Sequence, residues 1–243
     1  MREIPSDHGR VVVGNKEELF SRAVELVTAQ RRLTRTSRFI WALTGGSTPA
    51  AFYQWCVETQ ALSPALVSGT DFTVSDERHV LLSSPESNFG NAERALFAPL
   101  DVRREHLHPW VVAWPVAEAA EAYRKTMLLL AGPGRAYDAC FLGMGDDCHT
   151  ASLFPGTPLL RDDHGLLFDG QEVPGKGWRL TITPSGLRVC GLVVVMALGA
   201  GKADALHRVM RGPHDPLQVP SQLLKSCASR VVWLVDEAAA AKL

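Results

Sequence analysis

Asp147 and His149 stand two residues apart in the stretch Gly143-Met144-Gly145-Asp146-Asp147-Cys148-His149-Thr150-Ala151-Ser152-Leu153-Phe154-Pro155-Gly156. An imidazole ordinarily titrates near pH ~6.5, so it can take or give a proton at neutral pH. The glycines let the chain turn sharply, and the apolar run 137–142 ahead of them reads as a buried strand. In an open α/β sheet, ligands bind beyond the carboxyl ends of the strands. The stretch therefore predicts acid–base chemistry on a small molecule.

Other segments carry residue types that hold an anion. Gly45-Gly46-Ser47-Thr48-Pro49 follows a strand-like run at 38–44. A glycine turn that opens a helix aims backbone N–H groups and the positive helix end at whatever lies above it. Gly45, Gly46, Ser47 and Thr48 thus form a candidate phosphate cradle. Taken alone, the segment reads equally as an ordinary turn, with Thr48 as cap and Pro49 at the first helical position. Asp76-Glu77-Arg78 ends a second short strand, 71–75. Arg78 suits a bidentate grip on a carboxylate or phosphate, and Asp76 suits orienting a hydroxyl or a histidine. A solvated charged loop is the plain alternative. Gly199-Ala200-Gly201-Lys202 repeats the strand–glycine–helix pattern, and Lys202 is either a point charge for a phosphate or an exposed helix lysine. Arg179 opens a buried-looking strand, 178–183, and either ends in solvent or reaches into a site. His106 and His108 have no carboxylate or cysteine at ligand spacing, so they read as surface histidines and no metal site is expected.

The elements that must position these groups alternate. Asn15 and Glu18 make a capping box ahead of a helix to about residue 31. A helix follows 45–49 and runs to about 59. Residues 84–91 are polar and turn-like, with short helical segments around 92–97. Pro115 opens a longer helix that ends near 132–134. Three prolines and five glycines make 155–177 a long loop or excursion, a candidate lid. The β-branched run 189–198 must be buried on both faces, as in a parallel sheet. The turn at 199–202 leads into a helix to about 210, then a strand at 230–235 and a short Ala-rich helix at 236–243. Strands alternating with helices predict a doubly wound, mostly parallel α/β sheet with helices on both faces. Without repeats or a low-complexity linker, one domain is expected.

The bulk numbers bound the partners. The chain has 243 residues, 46% hydrophobic and 21% charged, with a formal net charge of −1. That balance gives no footprint for nucleic acid or a membrane surface. Residues 1–16 lack the apolar core of a signal peptide, and the longest apolar run, 192–198, is too short to cross a bilayer. Five cysteines (56, 140, 148, 190 and 227) contain no CxxC pair, so neither a disulfide framework nor a zinc ribbon is expected. A reducing cytoplasm is the expected compartment.

In this order, the segments resemble the 6-phosphogluconolactonase family, which is similar in fold to glucosamine-6-phosphate deaminases. The resemblance runs through the 45–49 turn, 76–78, Ser87-Asn88, 143–156, the strand from Arg179, the Gly-x-x-Lys at 199–202, Pro220-Ser221 and 232–236. It implies hydrolysis of 6-phospho-D-glucono-1,5-lactone to 6-phosphogluconate, the second step of the oxidative pentose phosphate pathway. His149 would be the general base, and Asp147 would orient the loop or the histidine. Gly45, Gly46, Ser47, Thr48, Asp76, Arg78, Asn88, Arg179 and Lys202 would bind substrate, with no cofactor. A monomer is compatible with the sequence, which does not fix the oligomeric state. Deaminases instead run Gly-His-x-Ala-Phe-Asn-Glu, and here Leu153 and Phe154 stand where Asn and Glu would be. That difference argues against amine chemistry; a non-catalytic sugar-phosphate sensor is the third reading. One departure concerns Cys148, where the family usually has glycine. A positive φ there would strain the turn.

Overall fold

The computed structural model describes residues 1–243. Two short strands that the sequence reading passes over begin it, β1 (Arg2–Ile4) and β2 (Arg10–Val13). Helix α1 (Lys16–Leu33) starts at the expected capping box. Asn15 Oδ1 accepts from Glu18 N at 3.0 Å, and Glu18 Oε2 accepts from Asn15 N at 2.9 Å. Then come β3 (Phe39–Leu43), α2 (Ser47–Glu58), α3 (Pro64–Ser68), β4 (Thr70–Val74) and β5 (Asp76–Arg78). Helix α4 (Asn88–Ala92) continues through a π-helical turn at Glu93–Phe97. The chain goes on through α5 (Val116–Ala131), β6 (Ala139–Gly143), α6 (Pro158–Arg161), β7 (Phe168–Val173) and β8 (Gly177–Ile182). It ends with α7 (Pro184–Arg188), β9 (Leu192–Ala197), α8 (Ala203–Arg211) and β10 (Val231–Val235).

Seven strands form one sheet in the order β1-β2-β10-β9-β6-β3-β4, with helices around it. Every neighbouring pair is parallel except β1 with β2. Strand β9 is buried at all positions, as its unbroken β-branched run demands. From β3 the chain adds β4 on one side, then crosses to β6, β9 and β10 on the other. The order therefore reverses between β3 and β6. Only Trp41↔Ala139 and Ala42↔Cys140 pair across that seam, so the two strands part toward their carboxyl ends. A crevice at such a switch point is where this architecture binds ligands.

Several expectations are corrected. Thr48 does not cap α2: the helix begins at Ser47 with Gly46 as N-cap, because Gly46 takes φ +114° and no side chain bonds the first turn. The 84–91 segment is not all turn, since Ser87 Oγ accepts from Gly90 N at 2.9 Å and starts α4. The 155–177 excursion contains α6 and β7, and 178–183 does not join the parallel sheet. Strands β5, β8 and β7 make a separate antiparallel sheet in that order, with Arg78 opposite Arg179. Short polar strands with glycines read as loop from sequence, because only their cross-chain pairing makes them strands. The Ala-rich tail 236–243 forms turns rather than a helix. It is too short to offset the cost of helix nucleation.

Candidate active site

The carboxyl ends of β3, β6 and β9 converge on a cleft of about 230 Å³. Its floor at β3 is held by Tyr53, whose hydroxyl donates to Thr44 O at 2.6 Å and accepts from Thr44 N at 3.1 Å. Gly45 is glycine for a steric reason: a Cβ there would lie 1.9 Å from Asn88 Oδ1. Past Gly46, the first N–H groups of α2 have no side-chain cap. They remain free to meet an anion.

The histidine loop follows β6. Gly145 leaves room for the imidazole, since a Cβ there would lie 2.0 Å from His149 Nδ1. Asp147 Oδ1 contacts His149 Nδ1 at 2.6 Å and accepts from His149 N at 3.1 Å. Asp147 therefore orients both the ring and the loop, the two roles that the sequence leaves open. Burial pushes the Asp147 carboxyl up, but its bonds to His149 outweigh that and hold it below its ordinary value. Phe154 stacks on the ring's face, with centroids 4.1 Å apart and planes 24° off parallel. The ring lines the cleft, and Nδ1 is occupied, which leaves Nε2 for a ligand.

Cys148 adopts φ +66°, in the left-handed region that favours glycine. Its side chain is fully buried, with Sγ 3.6 Å from Ala205 O on α8. Burial pushes the thiol up, away from the reactive thiolate. Ser221, in the Pro220-Ser221 pair, donates to Cys148 O at 2.8 Å and so fixes the same turn.

The second wall comes from β5. Asp76 does orient a hydroxyl: Ser152 Oγ donates to its Oδ2 at 2.6 Å. Glu77, which the sequence reading passes over, has no exposed surface. Its carboxylate accepts from Arg78 N, Ser87 Oγ, Asn88 N and Phe89 N at 2.9, 2.9, 2.7 and 2.9 Å. This one side chain ties β5 to the start of α4. The signal for it was a carboxylate between two site residues, but burial of a Glu is not legible from spacing. Asn88 Nδ2 donates to Asp76 O at 2.8 Å, and its buried Oδ1 has no partner.

Gly45, Gly46, Ser47, Thr48, Asp76, Arg78, Asn88, His149 and Lys202 all line this cleft. Asp147 touches it through His149. Arg179 does not line it. Arg179 stands opposite Arg78 across the small sheet, and burial and then the Arg78 charge lower its proton affinity. Lys202 Nζ lies 2.6 Å from Asp146 Oδ1. His106 and His108 are not surface histidines: they approach buried Asp71 Oδ1 at 3.3 and 3.1 Å, away from the cleft.

The arrangement is that of a small-molecule enzyme built on a doubly wound sheet. The fold is shared with the 6-phosphogluconolactonase of Trypanosoma cruzi, at a TM-score of 0.84 and 26% identity, covering 100% of this chain and 99% of that one. A monomeric glucosamine-6-phosphate deaminase shares the fold alone, at a TM-score of 0.78 and 17% identity, with 96% and 99% covered. The chain belongs to the family described as glucosamine-6-phosphate isomerases/6-phosphogluconolactonase, whose model matches residues 14–233. It is 32% identical over 239 residues to a 6-phosphogluconolactonase of Synechocystis, covering 96% of this chain and 97% of the relative. A human 6-phosphogluconolactonase is 31% identical over 241 residues, with 94% and 91% covered.

Proposed function

We propose that this chain hydrolyses 6-phospho-D-glucono-1,5-lactone to 6-phosphogluconate, with His149 as general base and Asp147 as its orienting partner. The observation that carries this reading is the His149–Asp147 pair at 2.6 Å on the wall of a cleft that also holds the α2 N-terminus, Arg78 and Lys202. Water attacks the lactone carbonyl carbon while His149 Nε2 takes one of its protons. The tetrahedral intermediate then collapses, and the bond from that carbon to the ring oxygen breaks. The imidazolium returns its proton to the ring oxygen, which leaves as a hydroxyl, and the carboxylic acid formed at the acyl carbon loses the second water proton to solvent and becomes the carboxylate. Positioned proton transfer of this kind contributes roughly 10²–10⁴-fold. Asp147 stabilises the imidazolium by its charge and fixes Nδ1 as the donor side.

The phosphate sits at the cationic wall formed by the cradle at 45–48, Arg78 and Lys202, with Arg179, paired with Arg78 across the small sheet, adding positive field. Asn88 Oδ1, buried without a partner, accepts from a substrate hydroxyl. Phe154 supports the lactone reading over amine chemistry, because it covers the imidazole with an apolar ring where a deaminase would set a carboxylate. The reading takes the enzyme as a single domain that needs no cofactor and no nucleic-acid partner, and for which a monomer suffices. Its five free, buried cysteines suit the cytoplasm. No helix is long and apolar enough to cross a membrane.

The test is lactone hydrolysis with and without the 6-phosphate, corrected for the spontaneous reaction. The phosphorylated lactone should be strongly preferred. His149→Ala should lower kcat by about 10²-fold or more with little change in substrate binding. Near-wild-type turnover in that variant would remove His149 from the reaction.

A further inference from the structure

A second cavity, of about 410 Å³, lies at the other edge of the main sheet. It sits where β2 and β10 begin, whereas the active cleft lies where β3, β6 and β9 end. We propose that this cavity binds a small organic anion, a phosphate monoester or a carboxylate, with His8 at its floor and Arg211, His214 and Lys225 at its rim.

His8 carries the argument. The residue lines the cavity and is only 6% exposed, yet neither ring nitrogen has a hydrogen-bond partner. Buried polar groups are nearly always paired, and an unpaired one is costly. The backbone that carries the ring is fixed. His8 N donates to Ser6 Oγ at 3.0 Å, and Trp233 Nε1 donates to His8 O at 2.8 Å. The next residue, Gly9, holds φ +117° against β10, where a Cβ would meet Val231 O at 2.6 Å. The backbone is clamped on both sides of an imidazole whose two buried nitrogens have no partner in the fold.

The surroundings choose the sign of the ligand. Arg211 and His214 line the cavity and make no ion pair. Lys225 Nζ is shared only with the exposed Asp7 carboxylate, at 3.3 Å. Burial, then Lys225, lowers the proton affinity of His8, with Asp7 opposing and His214 adding to the lowering. Burial disfavours charge of either sign, so the sign is set by the lining: Asp7 is its one acidic side chain and is taken by Lys225, which leaves the Arg211 charge unpaired. Ser6 Oγ spends its proton on Met210 Sδ at 3.1 Å, a weak acceptor that an anionic oxygen would displace. Ile4, Val11 and Met210 supply the apolar wall that a carbon skeleton needs, and the volume suits a small metabolite.

Ring resonances of the eight histidines test this in the full chain, at constant pH and ionic strength. The probes are inorganic phosphate and, separately, gluconate, with His8→Gln assigning the His8 signal. His149 reports the active cleft in the same spectra. The expected result is a saturable shift of His8 with at least one probe. In Arg211→Ala/Lys225→Ala the half-saturating concentration should rise about tenfold or more, with the His149 response unchanged. A response to phosphate alone assigns a phosphate monoester, and one to gluconate alone assigns a carboxylate. A His8 signal that neither probe moves, that drifts without saturating, or that responds equally in the double variant overturns the proposal, leaving a water-filled cavity.

Discussion

His149 lies between two partners that do different work. Asp147 fixes Nδ1 by charge, and Phe154 fixes the ring plane by stacking. Arg78 and Lys202 line the same cleft. In the proposed role they would contact the phosphate, which does not react, and so would stabilise ground and transition states alike. Arg78→Ala and Lys202→Ala should each raise KM for the phosphorylated lactone about tenfold or more, with kcat little changed. Initial-rate kinetics read this directly, and a fall in kcat at constant KM would instead assign the side chain to the developing oxyanion. Cys148 is a separate case. A non-glycine residue in the left-handed region costs roughly 1–2 kcal/mol. Its buried side chain returns about 1 kcal/mol through contact with α8. Cys148→Gly should therefore change stability by less than about 1 kcal/mol and keep turnover, measured by denaturant unfolding and initial rates. The sequence shows the odd residue at 148; only the structure shows the φ that makes it odd.

Glu77 joins elements rather than substrate. Four donors from two segments end on one buried carboxylate, and Asn88 and Arg78 are placed through it. Glu77→Ala leaves two buried backbone N–H groups, a half-buried one and a hydroxyl unmet. The variant should lose about 3 kcal/mol or more of stability, and its KM should rise because the β5–α4 wall loosens. Urea unfolding checks the first part; retention of full stability would mean water replaces the carboxylate without cost. The legibility of the elements follows the same logic. The capping box of α1, the buried run of β9 and the glycine turns after β3, β6 and β9 were readable because each is a local pattern with a local cause. Strands β7 and β5 were not, since three-to-six-residue polar strands acquire their identity from partners distant in sequence. Arg179 was left open for that reason: its place opposite Arg78 depends on β5 being a strand. The His106–His108–Asp71 cluster was missed because Asp71 lies more than thirty residues upstream, where no spacing rule looks.

The whole molecule rests on one sheet whose seam between β3 and β6 makes the active cleft and whose opposite edge holds the His8 cavity. Its acid limit can be traced to the far strand. Burial pushes Asp71 up, but bonds from His108 and Arg38 outweigh that and hold its carboxyl below the ordinary value. A depressed folded value means that the unfolded chain binds the proton more readily. The stabilisation is complete above the unfolded value of about 4 and is lost as pH falls through the lower folded one. Asp71→Asn should lower stability at neutral pH by about 1–3 kcal/mol and flatten the fall on acidification. Unfolding free energy measured from pH 7 to pH 3 decides it; an unchanged acid slope would clear Asp71 of the role.

The five thiols lie on strands, helices and turns from 56 to 227, and every one is enclosed. An alkylating reagent added to the intact enzyme therefore has nothing to attack until the structure opens. Each adduct becomes a timestamp of that opening, and mapping which cysteine is marked first tells which part of the molecule comes apart ahead of the rest.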